Sequence, residues 1–209
     1  MPEHQTYLKL ILELGPREKF SQAAVKEAVE LPDEDAANIA DAAGSSLGAP
    51  FDELDIRVLQ DCAREVFTLY KLRERVAEHI DGLMAQVAPN LRAVVGGSIG
   101  ARLISLAGGL EELARQPAST LQVLGAEKAL FRSLRGRAKP PKHGVIYQYP
   151  EVRGAPRRQR GKIARALAGK LSIAARVDAL SGEFVGDKLV ANLKARISDI
   201  KARYKEPGK

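Results

Sequence analysis

Tryptophan is absent from this 209-residue chain, aromatics make up only 5% of it, and there is one cysteine, Cys62. Each scarcity narrows the field. A single cysteine excludes an internal disulfide and suits a reducing compartment. No apolar run approaches the roughly 18 residues that cross a bilayer, and the opening Met-Pro-Glu-His-Gln lacks the basic-then-apolar pattern of a secretory signal. The expected location is therefore cytoplasmic, without a membrane partner. The three histidines, His4, His79 and His143, are far apart in sequence, and no pair has metal-ligand spacing. No nucleophile–base order, paired catalytic carboxylates or metalloprotease pattern stands out. The sequence thus gives no catalytic residue, no metal site and no cofactor, and the expectation is a protein that is not an enzyme.

What is present is charge in one place. From Gly125 to Arg176 there are fourteen Lys and Arg against two acids, Glu127 and Glu151, a local balance of +12. The whole chain is +7, so the remainder sums to −5. A basic segment in an otherwise acidic protein points to a dedicated polyanion-binding surface. Its cations sit around Gly, Pro and helix ends rather than in a featureless run. Two basic loops, 135–143 and 153–160, can hold them at fixed angles, and backbone amides near Gly136 or Gly144 can join them. His143 can stack on an exposed base.

Apolar content of 45%, charged content of 28% and abundant Ala, Leu, Arg, Lys and Glu predict a folded, all-α protein. Tyr7, Leu8, Leu10, Ile11 and Leu14 form an amphipathic helix that stops at Gly15-Pro16. Ser21 caps a second short helix, and Asp33-Glu34-Asp35 open an Ala-rich third. Next comes an unbroken heptad seam: Leu59, Cys62, Val66, Leu69, Arg73, Val76, Ile80, Leu83 and Val87. Cys62 reads there as a buried structural thiol. The helix, from about Phe51 to Val87, would be about 55 Å long at 1.5 Å per residue. Its seam is expected to pack on the preceding helices and, near the far end, on a second copy, with Val66, Leu69, Val76 and Ile80 as dimerisation residues.

Ala88-Pro89-Asn90 marks a boundary, giving a coiled-coil module at 1–88 and a compact basic domain at 89–209. Gly96-Gly-Ser-Ile-Gly100 lacks the Lys-Ser/Thr of a phosphate loop and follows no strand, so its small residues read as close helix packing. Gly125–Leu134 reads as a helix with Lys128 and Arg132 on one side. Gly144–Tyr149 is the one strand-like run. A long helix then carries Ile163, Leu167, Leu171, Ala174 and Val177 inward. A last one, about Phe184 to Tyr204, buries Phe184, Leu189, Leu193, Ile197 and Ile200, ahead of a frayed tail.

Seven runs occur in order between Ala88 and Asp178: Ala88-Pro-Asn-Leu91, Ile99-Gly-Ala-Arg-Leu-Ile104, Pro117-Ala-Ser-Thr120, Leu124-Gly-Ala-Glu-Lys-Ala-Leu-Phe131, Pro141-Lys-His-Gly-Val-Ile-Tyr147, Gly161-Lys-Ile-Ala-Arg165 and Lys170-Leu-Ser-Ile-Ala-Ala-Arg-Val-Asp178. Together they resemble the Nop-domain family, the box C/D ribonucleoprotein core proteins of archaea and the eukaryotic nucleolus. Leu69-Tyr-Lys-Leu-Arg73 is similar to that family's coiled-coil helix. The resemblance covers nearly the whole chain. It implies a long coiled-coil helical hairpin joined to a compact helical Nop domain, with dimerisation through the coiled coil. It also implies that the Nop domain clamps a joint surface of kink-turn RNA and its small kink-turn-binding protein. The family acts as a scaffold in guide-RNA-directed 2'-O-methylation, and the methyl transfer belongs to fibrillarin.

Carried onto this chain, the resemblance places RNA or protein contacts on Gly125, Lys128 and Arg132 and on Lys142 and His143, and matches the helix from about Gly161 to Asp178, with Lys162 and Arg165 as candidate contacts, to the basic helix behind them. Basicity alone adds Arg135, Arg137, Lys139, Arg157 and Arg158. Archaeal members usually begin with a fibrillarin-binding domain, whereas this chain starts at the coiled-coil region. Fibrillarin docking is therefore expected only where that domain is supplied, and a eukaryotic copy would be nucleolar or nuclear. The rival readings are a coiled-coil assembly module whose basic domain binds an acidic protein, and an RNA-modifying enzyme with an unrecognised site.

Overall fold

Ser21 illustrates how directly local sequence sets the N-terminal part of the fold: its Oγ accepts the amide of Ala24 at 3.2 Å and starts a helix. In a computed structural model, which describes residues 4–136 and 138–204, the structure is helical with no strand among the described residues. The chain divides into two compact units, Met1–Val76 and Ala77–Lys209. The division falls inside the long helix rather than at its end, where the sequence places the boundary.

The first unit holds α1 (His4–Leu14), a 3-10 turn (Arg17–Lys19), α2 (Gln22–Ala28), α3 (Asp33–Gly44) and most of α4 (Glu53–Val87). Leu10, Val25, Val29 and Ala36 make a small core between α1, α2 and α3. Against α1, helix α4 sets Gln60, whose Nε2 donates to the carbonyls of Ile11 and Leu12 at 3.3 and 3.1 Å. Gln5 reaches Glu74 at 3.1 Å farther along. The inward stripe of α4 here is Ile56, Gln60, Ala63, Phe67 and Tyr70.

That stripe corrects the expected seam. Val66, Leu69 and Val76 are exposed in the single chain, as is Cys62, so they do not pack on the preceding helices and the thiol is not buried, whereas Ile80, the fourth residue expected at a dimer contact, packs against the core of the second unit. Both stripes repeat at spacings of 3 and 4, and α4 carries them side by side. Sequence period alone does not say which one the same chain covers. Arg73 exits to solvent, its guanidinium 5.3 Å from the Tyr70 ring centre.

In the second unit the last turns of α4 are followed by α5 (Pro89–Val95), α6 (Gly97–Ala107), α7 (Leu110–Arg115), α8 (Ala118–Val123), α9 (Glu127–Leu134), a 3-10 turn (Val145–Gln148), α10 (Pro150–Arg153), α11 (Arg157–Leu180) and α12 (Gly186–Arg203). The axis of this unit is α11. Ile163, Leu167 and Leu171 fill its buried side, and Ala164, Ala168, Ala174 and Ala175 keep it thin enough for α5, α7, α8 and α12 to pack on it. Leu189, Leu193, Ile197 and Ile200 of α12 join this core. Phe184 does not: it precedes the helix and stays exposed.

A buried polar knot fixes the start of α5. The Asp178 carboxylate accepts the amides of Asn90 and Leu91 at 3.0 and 2.8 Å, a negative charge placed at a helix N-terminus. Asn90 is fully buried. Its Nδ2 donates to Asp178 Oδ1 and to the Glu183 carbonyl, and its Oδ1 accepts the Val185 amide. Two of the quoted runs, the one at 88–91 and the one ending at Asp178, thus meet in space as a structural clamp.

The glycine run at 96–100 packs helices, as the sequence reading has it. A Cβ at Gly97 would lie 2.6 Å from the Asp81 Cα. The Gly97 amide donates to Asp81 Oδ1 at 3.0 Å, while Arg92 Nε donates to Oδ2 at 2.9 Å. That pair holds the Asp81 carboxyl below its ordinary range.

Gly144–Tyr149 is not extended. Its first two amides, Gly144 and Val145, donate to the carbonyls of Gln122 and Leu124, both at 2.9 Å, and the chain then coils into the 3-10 turn that buries Ile146. Only glycine fits at 144, since a Cβ there would meet the Leu124 carbonyl oxygen at 1.9 Å.

Candidate nucleic-acid interface

Between the Pro140-Pro141-Lys142 segment, the first half of α11 and the last turns of α12 runs a groove of about 910 Å³. Lys139, Lys142, Arg158, Lys162 and Arg165 line it, five of the residues singled out from the sequence. Local architecture puts them there. Gln122 Nε2 donates to the Lys142 carbonyl at 2.7 Å and pins the loop to α8. Gly161 leaves room for the Lys142 stem, which lies 3.3 Å from where a Cβ would be.

The 153–160 stretch is not a loop. After the single turn of α10, Pro156 precedes α11, so Arg157, Arg158 and Arg160 occupy its first turn. Cations at the positive end of a helix are unfavourable on their own account, a cost that the adjoining C-terminal end of α12 offsets in part, and they repel one another. Their cluster there is a charge that an anion relieves. Arg157 is exposed outside the groove lining. The Arg160 side chain turns inward instead: its Nε donates to the Ala155 carbonyl at 2.7 Å and its guanidinium lies 5.6 Å from the Tyr147 ring centre.

His143 has a partner already. Its ring stacks on Tyr147 with centroids 4.6 Å apart and planes 20° from parallel. Burial, then the neighbouring Arg160, pushes its pKa below the usual 6.5, so the ring is neutral at physiological pH. One ring face is therefore occupied within the chain, which replaces the expectation of a free stacking platform.

The other predicted residues gather on α9 and the turn after it. Lys128, Arg132 and Arg135 are exposed, and α9 has no buried residue. Phe131 and Leu134 project from the same helix with 60% and 74% of their surfaces in solvent, an apolar patch beside cations. Gly125 is not an open donor. Its amide donates to Glu127 Oε1, and the backbone there has φ +85°, so it serves the turn into α9. The Gly136 and Gly144 amides are likewise engaged, on the carbonyls of Ser133 and Gln122. Arg137 lies outside the described residues.

Sequence reading missed the far wall of the groove. Arg196, Arg203 and Tyr204 of α12 and its C-cap line it. The Lys162 ammonium sits 3.9 Å from the Tyr204 ring centre. Hydrogen bonding to Lys162 lowers the Tyr204 pKa. The buried Gln159 donates to the Tyr204 carbonyl at 2.7 Å and ties the start of α11 to the end of α12. The spacing 196, 200, 203 carried the signal, since it places both arginines beside the inward Ile200. No group of three or more His, Cys, Asp or Glu able to hold a metal occurs among the described residues. No helix among them is long and apolar enough to cross a membrane.

Comparison with known proteins bears on this geometry. A family model described as "Nop: snoRNA binding domain, fibrillarin" matches residues 1–199. An uncharacterized NOP5 family protein of Methanocaldococcus jannaschii is 47% identical over 205 residues, 98% of this chain and 49% of that protein. Nucleolar protein 58 of Scheffersomyces stipitis is 38% identical over 203 residues, covering 94% of this chain and 39% of that protein. Among solved structures, a crystal structure of a fibrillarin/NOP5p complex matches with a TM-score of 0.54 and 29% identity, over 94% of this chain and 69% of that one. The chain spans about half or less of the length of these two curated relatives.

Proposed function

The chain belongs to the Nop family, and from that premise we propose that it is a non-catalytic ribonucleoprotein scaffold that binds kink-turn RNA of the box C/D type together with its kink-turn-binding protein. In this reading it serves guide-RNA-directed 2'-O-methylation, with fibrillarin as the methyltransferase. The observation that carries the reading is the pairing of two surfaces. Five cations named from the sequence converge on one groove, while α9 presents Lys128 and Arg132 beside the exposed Phe131 and Leu134. Phosphates answer the first kind of surface and a protein face answers an apolar patch. A composite RNA–protein target supplies both.

The second element of the proposal is a homodimer. Val66, Leu69 and Val76 remain exposed on α4 after the chain has covered its other stripe, and an unpartnered heptad seam is what a second copy buries. The proposed location is the cytoplasm, or the nucleolus in a eukaryote. The rival reading, an assembly module that binds an acidic protein, shares the apolar patch but has no use for RNA. Titration of the full chain with kink-turn RNA, and with that RNA already bound to its kink-turn-binding protein, separates the two. Tight binding to the complex is expected; binding to neither would leave the acidic-protein reading.

A further inference from the structure

The groove between α11 and α12 has a composition that phosphate contact alone does not explain. Seven Lys and Arg side chains line it and no acid does. One of the seven, Arg196, has Asp199 at 3.8 Å; the others make no ion pair among the described residues. Helix dipoles do not account for the excess. The Gln159–Tyr204 hydrogen bond sets the N-terminal end of α11 beside the C-terminal end of α12, so their opposite partial charges offset each other locally. The field in the groove is that of the side chains.

Apolar surface lies among these cations: Val123, Pro140, Pro141 and Ala166, with Tyr204 at one end. An A-form duplex shows phosphates and hydroxyls outward and keeps its bases stacked inside, so it meets the cations but leaves the apolar lining bare. An unpaired nucleotide matches both, its phosphate on the guanidinium groups and its base on the apolar wall. Tyr204 is suited to take such a base. Lys162 lies over one face of its ring, and with 43% of the residue open to solvent the base would take the other face.

We propose that this groove binds an unpaired RNA strand continuous with the RNA held by the domain, through phosphate contacts from Arg196 and Arg203 and base stacking on Tyr204. This rests on the reading of the domain as a kink-turn RNP binder, and it assigns α12 a binding role. With a single aromatic the groove alone holds a strand measurably only at low salt, and at physiological salt its contribution adds to that of the docked complex.

The test compares the kink-turn RNA–protein complex with the same complex bearing an unpaired oligouridine extension, titrated with the full chain over a range of salt. The extension is expected to tighten wild-type binding by about tenfold. In the double variant Arg196→Ala, Arg203→Ala that gain should vanish, and the log–log salt slope should flatten by about 1.4, near 0.7 per phosphate of a single strand. Tyr204→Ala should lose at least about fivefold of the gain, the lower bound for one stacked base, while Tyr204→Phe keeps it. All three residues are exposed, and helicity by circular dichroism checks that the variants fold. Wild-type binding to the plain complex with no gain from the extension overturns the inference and leaves the scaffold reading standing. Failure to bind the plain complex sinks that reading instead. The groove is then read directly by photocrosslinking of 4-thiouridine oligouridine at low salt: a crosslink at Tyr204 supports the inference, and its absence overturns it.

Discussion

The two units of this chain satisfy their apolar residues in opposite ways. Among the described residues, the second buries twenty-four side chains in one core around α11 and leaves Phe131 and Leu134 exposed beside its cations. The first closes a core of four buried residues, Leu10, Val25, Val29 and Ala36, and leaves much of α4 uncovered. Leu69 is 62% exposed, whereas Leu171 is fully buried. The contrast teaches that the chain holds two kinds of surface: a basic one with a small apolar patch on a unit with a large core of its own, and a long apolar stripe on a helix that calls for another molecule.

The sharpest way to break this comparison is to truncate one leucine in each unit. Leu171→Ala removes a side chain from the core around α11 and should destabilise the second unit by about 2–5 kcal/mol. Leu69→Ala in dilute, monomeric protein should cost no more than about 0.5 kcal/mol. Urea denaturation of each variant reads both, and equal losses would mean the seam is already covered within the chain.

Next in size is the seam under conditions where copies meet. A Leu69→Asp change places an unpaired carboxylate in the proposed dimer contact and should weaken association by roughly 2 kcal/mol or more. Light scattering at micromolar concentration should show a wild-type dimer and a variant monomer. A wild type that stays monomeric would leave the seam unpartnered by a second copy.

Within the basic unit, Lys128→Ala, Arg132→Ala and Lys142→Ala together should weaken binding of the RNA–protein complex without loss of helicity. The salt slope should flatten by roughly one unit for each phosphate contact removed. An unchanged slope would take α9 and the adjoining loop out of the interface.

The smallest expected effect is on pH. Burial depresses the His143 pKa below 6.5 in the fold, so on acidification the unfolded chain takes up the proton first. Stability of the second unit should therefore fall as pH drops through about 6.5, and His143→Gln should lessen the fall. A fall of the same size in the variant would assign it to other groups.

How much of this was legible follows the range of the interactions. Caps and breaks act over a few residues, so the Ser21 cap, the stop at Gly15-Pro16 and the span of α4 are readable from sequence. Gly144–Tyr149 looks like a strand because it mixes β-branched and aromatic residues, yet its form is set by the carbonyls of Gln122 and Leu124, about 20 residues upstream. The Asn90–Asp178 knot joins positions 88 apart, which no local spacing encodes. On α4, two apolar stripes of equal period were indistinguishable until α1 chose one.

For the candidate site the same rule holds. Clustered charge exposed Lys139, Lys142, Arg158, Lys162 and Arg165, and folding brings them to one groove. Arg196 and Arg203 sit among the alternating charges of α12 and look like an ordinary solvated face. Their spacing about Ile200 puts them on one side of the helix, but the packing of α12 on α11 is what makes that side a wall of the groove.

The most direct test of the account is the affinity of the full chain for kink-turn RNA alone and for the same RNA bound to its kink-turn-binding protein, measured at matched salt. A surface that pairs exposed cations with the apolar Phe131 and Leu134 should bind the preformed complex at least about tenfold more tightly, a difference of about 1.4 kcal/mol. Equal affinity for the naked RNA and the complex would contradict it.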